Sequence, residues 1–504
     1  MPKLRENDRL SEGDALFLYL ERPGMPLSIA SVAEFDGIIS LAECMEFVSS
    51  KLPLLPRYLQ RIAIPPLNLG LPAWEYDPEF DIHNHVREVR LERGTDADAK
   101  AAAARILSEV LDRRHPLWDV TLLQEIKGDR TAMLVRVHHC MADGIAGVGL
   151  MNVLMDPEPT AYVPAKPGPP RSHPRPSDAA MSPVAGLVSS FSSMVERLLA
   201  MQSEMVGLAQ RTLAEGAEAP QATAAEVNGL LPALPVPAQR LPFNLVCRGP
   251  QRIAWGAIPM PEIKAVREAT GTTVNDVVIS VLTAALRRYA ELQGAKLKGR
   301  HLSIAVPVNT RGKGSPSELG NRISFLPISV PLGMRNLGKL LAVVHDRMHS
   351  LRAHHAAEFV GLAGGLLGMI PPPLQALAGP LASQLPISFC NTICTNVPGP
   401  QAPLYLLGRK MLRLYPYVPI GGELALNCAM MSYDGVAYFG FTGDVQATPH
   451  LHRLEKFLSL SFAELQKAVG IRSRRPRSRP PKNTPVSLSK PAAKEQEVAL
   501  SATA

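Results

Sequence analysis

The chain of 504 residues is poor in cysteine, with six thiols spread along its length. So few do not make a disulfide framework. Cys390 and Cys394 lie four apart, but the run SFCNTICT around them alternates like a strand, and no second Cys/His pair completes a zinc site. The opening MPKLRENDRL lacks the apolar core of a secretory signal. Together these absences point to a reduced, cytoplasmic setting. Charge is missing from one region altogether: between Glu358 and Arg409 there is no Asp, Glu, Lys or Arg. Pro371-Pro372-Pro373 and Pro380 break that run, and neither apolar piece reaches the roughly 18 residues needed to span a bilayer. That leaves burial between two halves of the protein, or docking to lipid. Signatures of other chemistries are absent too. There is no GxSxG elbow, no GxxxxGK[ST] loop and no GxGxxG after a strand.

Positive charge is present but confined. Of the net +8, the stretch 471–504 holds eight Lys/Arg against two Glu, a balance of +6, so the body is nearly neutral. Nucleic acid is therefore not an expected partner. The run IRSRRPRSRPPK is Pro-rich and without aromatics, which reads as a disordered arm that can meet anionic lipid headgroups.

The chain organises into two α/β halves around an irregular crossover. Residues 1–155 alternate strand-like runs (IASVAEF, DVTLLQEI, AMLVRVHH) with helical ones, notably DADAKAAAARILSEVLDRR. LSEGDALFLYLERPG before them has Ser11 three residues ahead of Asp14, a capped helix start, and ends at Pro23-Gly24. Residues 156–242 form a Pro-rich linker. Inside it, Ser182-Pro183 opens an amphipathic helix whose apolar stripe runs from Val184 to Leu208. Residues 243–470 again mix both periods: Thr273 caps the helix VNDVVISVLTAALRRYAEL, and LSIAVPV, RISFLPISV and VAYFGFTG read as strands.

Within this frame LVRVHHCMADG, from Leu134 to Gly144, holds the chemistry. Along the strand Met133, Val135, Val137 and His139 share one face, and Leu134, Arg136 and His138 the other. His139 continues the apolar face, so of the two it is the candidate base. A neutral imidazole in partly apolar surroundings can take a proton from an alcohol or thiol. Asp143 can fold back to fix the loop, and Gly144 permits a tight turn or close backbone approach. Cys140 turns to the opposite side from His139, so no nucleophile accompanies the base, which favours direct transfer between two bound substrates. His354-His355 sits in a helical context without Asp-Gly and reads as structural.

At these residues the sequence resembles the HHxxxDG acyltransferases, and within them the bacterial wax ester synthase/diacylglycerol acyltransferase family. LSEGDALFLYLE, HPLWD at His115–Asp119, TVNDVV at Thr273–Val278, PVNTR at 307–311, LGNRIS at 319–324, TNVPGP at 395–400 and NCAMMSYDG at 427–435 look like that family's signatures in its order. The resemblance implies two mixed-sheet α/β domains similar to chloramphenicol acetyltransferase, with the site at their junction. It implies transfer of a long-chain acyl group from acyl-CoA, a co-substrate, to diacylglycerol or a long-chain alcohol, with no cofactor or metal. His139 would be the general base, with His138 and Gly144 completing the motif and Asp143 structural. Asn275 and Asp276 would support catalysis, and Pro116, Leu117 and Trp118 would line the acyl channel. Without the resemblance, Asp276 is explained by its place in the first turn of a helix. A peripheral position on the inner membrane or lipid inclusions is expected. Ser28 stands where family members commonly carry a histidine. Two other readings stay open: an HHxxxDG acyltransferase for a polyketide or glycolipid hydroxyl, and a non-catalytic lipid-surface binding protein on the same fold.

Overall fold

A computed structural model describes residues 9–68, 70–142, 144–159, 238–309, 323–353, 372–385 and 388–471. The amphipathic helix expected between Ser182 and Leu208, Asp143, the His354-His355 pair and the basic tail lie outside the described residues.

Two six-stranded mixed sheets carry the chain. The first is built from β1 (Ser28–Asp36), β4 (Val86–Arg90), β5 (Trp118–Ile126), β6 (Arg130–His138), β11 (Tyr405–Leu406) and β12 (Arg409–Tyr417), in the order β11-β12-β1-β6-β5-β4. The second has β7 (Gln251–Pro259), β8 (His301–Asn309), β9 (Ile323–Pro331), β10 (Thr392–Pro398), β13 (Leu426–Tyr433) and β14 (Val436–Asp444), in the order β7-β14-β13-β10-β8-β9. A small hairpin, β2 (Gln60–Ala63) with β3 (Ala73–Tyr76), stands apart. Both large sheets mix directions: β4 runs parallel to β5, and β10 runs parallel to β8 and β13, while the other pairs are antiparallel.

The helices are α1 (Glu12–Leu20), α2 (Leu41–Lys51), α3 (Asp96–Leu107), α4 (Gly144–Leu154), α5 (Met260–Thr270), α6 (Val274–Leu292), α7 (Leu337–Ala353), α8 (Pro372–Ala382) and α9 (Arg453–Ala468). No single helix among the described residues is long and apolar enough to cross a membrane. The caps fall where the sequence puts them: the Ser11 hydroxyl accepts the Asp14 amide, and Thr273 and Asp276 form a reciprocal capping box at the start of α6. The helix read through DADAKAAAARILSEVLDRR is shorter than its pattern. It stops at Leu107, where the Ser108 hydroxyl turns back to the Ala104 carbonyl and accepts the Gln251 amide from the other half. A local hydrogen bond and a tertiary one thus override helix propensity over the last turns.

The halves interlock. β11 and β12 come from residues 405–417, yet they extend the first sheet beside β1, with Ala30 opposite Tyr417. Trp255 of β7 stacks on Tyr415 of β12 at 4.7 Å, and its indole N–H donates to Asp96 at 3.0 Å. Gly440 of β14 lies against the Pro416 carbonyl so closely that a Cβ there would collide with it. Each sheet has its own core, and a third small cluster of Met25, Leu27, Cys247, Ile420, Ala425 and Ala447 fills the seam between them.

Candidate functional site

The site starts where β6 runs out. At its end the backbone divides between two neighbours: the His138 amide donates to the Leu117 carbonyl and the His139 amide to the Leu27 carbonyl, both at 2.9 Å. Leu27 belongs to the seam cluster, and the loop before it is held against the second half of the chain. Arg22 donates to the Cys247 carbonyl at 2.8 Å, and a Cβ on Gly24 would come within 2.5 Å of the Arg248 oxygen. The histidine pair therefore lies at the junction of the two sheets.

The two imidazoles have different surroundings. His138 is fully buried. Its Nδ1 accepts the Cys140 amide at 3.1 Å, which leaves the proton on Nε2, facing Glu21 Oε1 at 3.3 Å. Glu21 is anchored in turn: Oε1 accepts the Leu27 amide and Oε2 accepts Arg113, both at 3.0 Å. Burial alone would raise the Glu21 carboxyl. Contacts with His138, the Leu27 amide and the Arg113 guanidinium outweigh it and bring the group down to about 2. His139 is only half-buried. Its ring lies flat on Phe17, centroids 4.1 Å apart and planes within 3°, and its Nδ1 is buried.

Both contacts come from α1. That helix is capped at Ser11, so Phe17 reaches His139 from its last turn and Glu21 reaches His138 from the residue just past its end. Neither Phe17 nor Glu21 follows from the HHxxxDG motif. Glu21 nevertheless carried a signal, because a carboxylate at a helix C-terminus faces the negative end of the dipole and calls for a compensating cation or donor. Here those are Arg113, the Leu27 amide and His138.

Cys140 is buried, and desolvation pushes its thiol well above the usual cysteine range, which disfavours the thiolate. Gly144 is the first residue of α4. Pro116, Leu117 and Trp118 are brought beside His138 by the Leu117 carbonyl. Leu117 and Trp118 are buried, with the Trp118 indole N–H donating to the Tyr58 carbonyl at 2.8 Å and its ring stacked on His85 at 4.4 Å. The Asp119 that follows takes the buried Arg136 guanidinium, 2.9 Å from Nε, so Arg136 serves the strand and not the site. Asn275 and Asp276 occupy the first turn of α6. Asn275 Oδ1 accepts Asn396 Nδ2 at 3.3 Å, while Asp276 Oδ2 accepts the Thr273 amide at 2.9 Å and lies 2.8 Å from His345 Nδ1. Among the described residues, none of these bonds goes to either histidine. No group of three or more His, Cys, Asp or Glu suited to a metal occurs among the described residues.

Residues 10–278 match the model of the wax ester synthase/diacylglycerol acyltransferase catalytic domain, and residues 319–466 match that of the WS/DGAT C-terminal domain. The chain is 28% identical over 487 residues to the probable diacylglycerol O-acyltransferase tgs1 of Mycobacterium tuberculosis, covering 93% of this chain and 97% of that one. It is 29% identical over 476 residues to tgs2 of the same organism, covering 92% and 100%. Among solved structures it is similar to the wax ester synthase/diacylglycerol acyltransferase of Marinobacter aquaeolei VT8, with a TM-score of 0.62 at 24% identity over 92% of this chain and 100% of that one. A likeness of fold extends to the first condensation domain of the CDA synthetase, with a TM-score of 0.55 at 16% identity over 93% and 98%.

Proposed function

Because the chain belongs to the wax ester synthase/diacylglycerol acyltransferase family, we propose that it moves a long-chain acyl group from acyl-CoA to the free hydroxyl of diacylglycerol, with His139 as general base. The observation that carries this reading is the His139 ring: half-buried at the junction of the sheets, flat against an apolar Phe17, and beside a cysteine too buried to ionise. Such a ring can hold a proton in transit, and the buried thiol beside it is a poor candidate for an acyl-enzyme.

In the proposed step the imidazole takes the acceptor hydroxyl proton as the oxygen attacks the thioester carbonyl. The tetrahedral intermediate collapses, the C–S bond breaks, and the same proton passes to the departing CoA sulfur. The products are one ester and one free thiol, so the ring returns neutral, with acyl-CoA consumed as co-substrate and no cofactor required. Diacylglycerol is preferred to a long-chain alcohol because the mycobacterial relatives are named for it. The family resemblance assigns Asp143 a structural role, Asn275 and Asp276 a supporting one, and Pro116, Leu117 and Trp118 the lining of the acyl side. Since acceptor and product are insoluble in water, the protein works peripherally on the inner membrane or on lipid inclusions.

The test is purified protein with radiolabelled palmitoyl-CoA and either dioleoylglycerol or hexadecanol. Triacylglycerol formation that disappears with His139→Ala is the expected result. Absence of ester with both acceptors, or the same yield from the variant, removes the reading.

A further inference from the structure

α8 is built inside out. Its inward face carries Gln375 and Gly379, with Ser383 just past its end continuing the spacing of four, all buried. A Cβ on Gly379 would lie 2.6 Å from the Tyr19 carbonyl, and the Ser383 hydroxyl accepts Arg22 Nε at 3.0 Å. Small and polar residues thus hold the helix against α1 and the loop after it. The outward face carries the large apolar groups: Leu374, Leu377 and Leu381 are 54%, 72% and 66% exposed, and Leu385 beyond the helix is 52% exposed. The 3-10 turn Pro66–Asn68, which touches α8, adds Leu67 at 80% exposure. A helix with its apolar stripe toward water is the reverse of the usual arrangement for a soluble fold, and a contiguous stripe of this kind marks a contact surface.

The chemistry of the stripe narrows what covers it. It contains leucine and alanine, with no charged group anywhere from residue 359 to 408. Protein interfaces are anchored by aromatic and arginine side chains and rimmed by hydrogen bonds, and these outward positions supply none of them. Hydrocarbon asks only for apolar area. The helix that carries the stripe is also one element from the site: its opposite face packs on α1, and α1 presents Phe17 to His139.

We propose that the leucine face of α8 docks the protein on a phospholipid bilayer, seating Leu374, Leu377 and Leu381 at the boundary of headgroups and acyl chains. The proposal rests on the acyltransferase reading only for its purpose, the delivery of an insoluble acceptor close to His139. Since the face is uncharged, docking needs neither anionic lipid nor low salt.

The experiment uses the full chain, phosphatidylcholine vesicles doped with dioleoylglycerol, and the triple variant Leu374→Ser, Leu377→Ser, Leu381→Ser. Wild type should float with the vesicles equally at about 0.1 and 0.5 M salt. The variant should bind at least about tenfold less, a loss of about 1.4 kcal/mol, with an unchanged melting temperature. Its esterification of dissolved dihexanoylglycerol should be unchanged, while esterification of vesicle-borne dioleoylglycerol falls with binding. Failure of wild type to bind, or equal binding by the variant, overturns the proposal. So does binding that requires anionic lipid and disappears at high salt, which would assign docking to the basic tail. A wild-type dimer that the variant converts to monomer without lipid also overturns it, because the face would then meet a second copy of the chain. Variant-sensitive vesicle binding without ester from either acceptor keeps the docking face and sinks the acyltransferase reading.

Discussion

His138 and His139 are the same side chain one residue apart, and the end of β6 gives them opposite lives. His138 is closed in, its Nδ1 accepting the Cys140 amide and its Nε2 turned to Glu21 Oε1 at 3.3 Å. His139 is half-open and held by the flat face of Phe17. A ring with no accessible surface cannot meet a substrate hydroxyl, so the difference in exposure separates a positioning residue from the proposed base. The sharpest way to break this comparison is to remove each ring in turn. His139→Ala is expected to lower kcat by about 10²–10⁴-fold with little change in melting temperature. His138→Ala should reverse that pattern, with a smaller loss of kcat and a destabilisation on the order of 3 kcal/mol, because the buried Glu21 carboxylate loses a neighbour. Equal losses of kcat from both variants, at equal stability, would erase the distinction.

Glu21 sharpens the same comparison through pH. Its carboxyl sits at about 2 in the fold against an ordinary 4.5, which corresponds to a stabilisation on the order of 3 kcal/mol for a side chain this buried. The folded value is the lower one, so the contribution is complete above about 4.5 and is lost as the pH falls toward 2. Chemical denaturation of wild type and Glu21→Gln across that window is the measurement. The stability gap should be widest near neutrality and shrink on acidification. A gap independent of pH would mean that Glu21 is not ionised beside His138.

A smaller effect belongs to Phe17. Stacking of this kind contributes about 0.5–1.5 kcal/mol, so Phe17→Leu should reduce kcat by up to about tenfold as the His139 ring loses its fixed plane. A change in KM alone would instead make Phe17 part of the substrate wall.

Local pattern in the sequence marks the motif strand, through the alternation along AMLVRVHH, and the start of α1, through its serine cap. It could not join them. Ser28 pairs with His138 across 110 positions, and nothing in the period of either strand names the other as neighbour. Glu21 and Phe17 consequently stood in view, within LSEGDALFLYLE, as parts of a helix and not of a site. The same limit hid the passage of β12 into the first sheet, since a strand's pattern fixes its faces but not its partner. The uncharged stretch divides between the two expectations left open for it: Thr392, Cys394, Leu404 and Leu406 are buried, whereas α8 keeps its polar and small residues inside and its leucines outside. Hydrophobicity summed along a segment does not say which face turns inward.

Cys140 carries the smallest expected effect, and its smallness is the point. It follows His139 directly, so a covalent mechanism with a thioester on the protein is the chemical rival to direct transfer. The thiol is buried, and burial drives it well above the ordinary range, so the thiolate that such a mechanism needs is suppressed. Its backbone, by contrast, is engaged: the Cys140 amide donates to His138 Nδ1. A change that keeps the backbone and removes the sulfur should therefore leave the site intact. Cys140→Ala is expected to retain kcat within about twofold and to cost about 1 kcal/mol of stability for the small cavity left behind. Steady-state rates beside a single-turnover search for protein-bound radiolabelled palmitate decide the matter. Label retained on wild type and absent from the variant would transfer the nucleophile's role to sulfur and leave His139 as its activator.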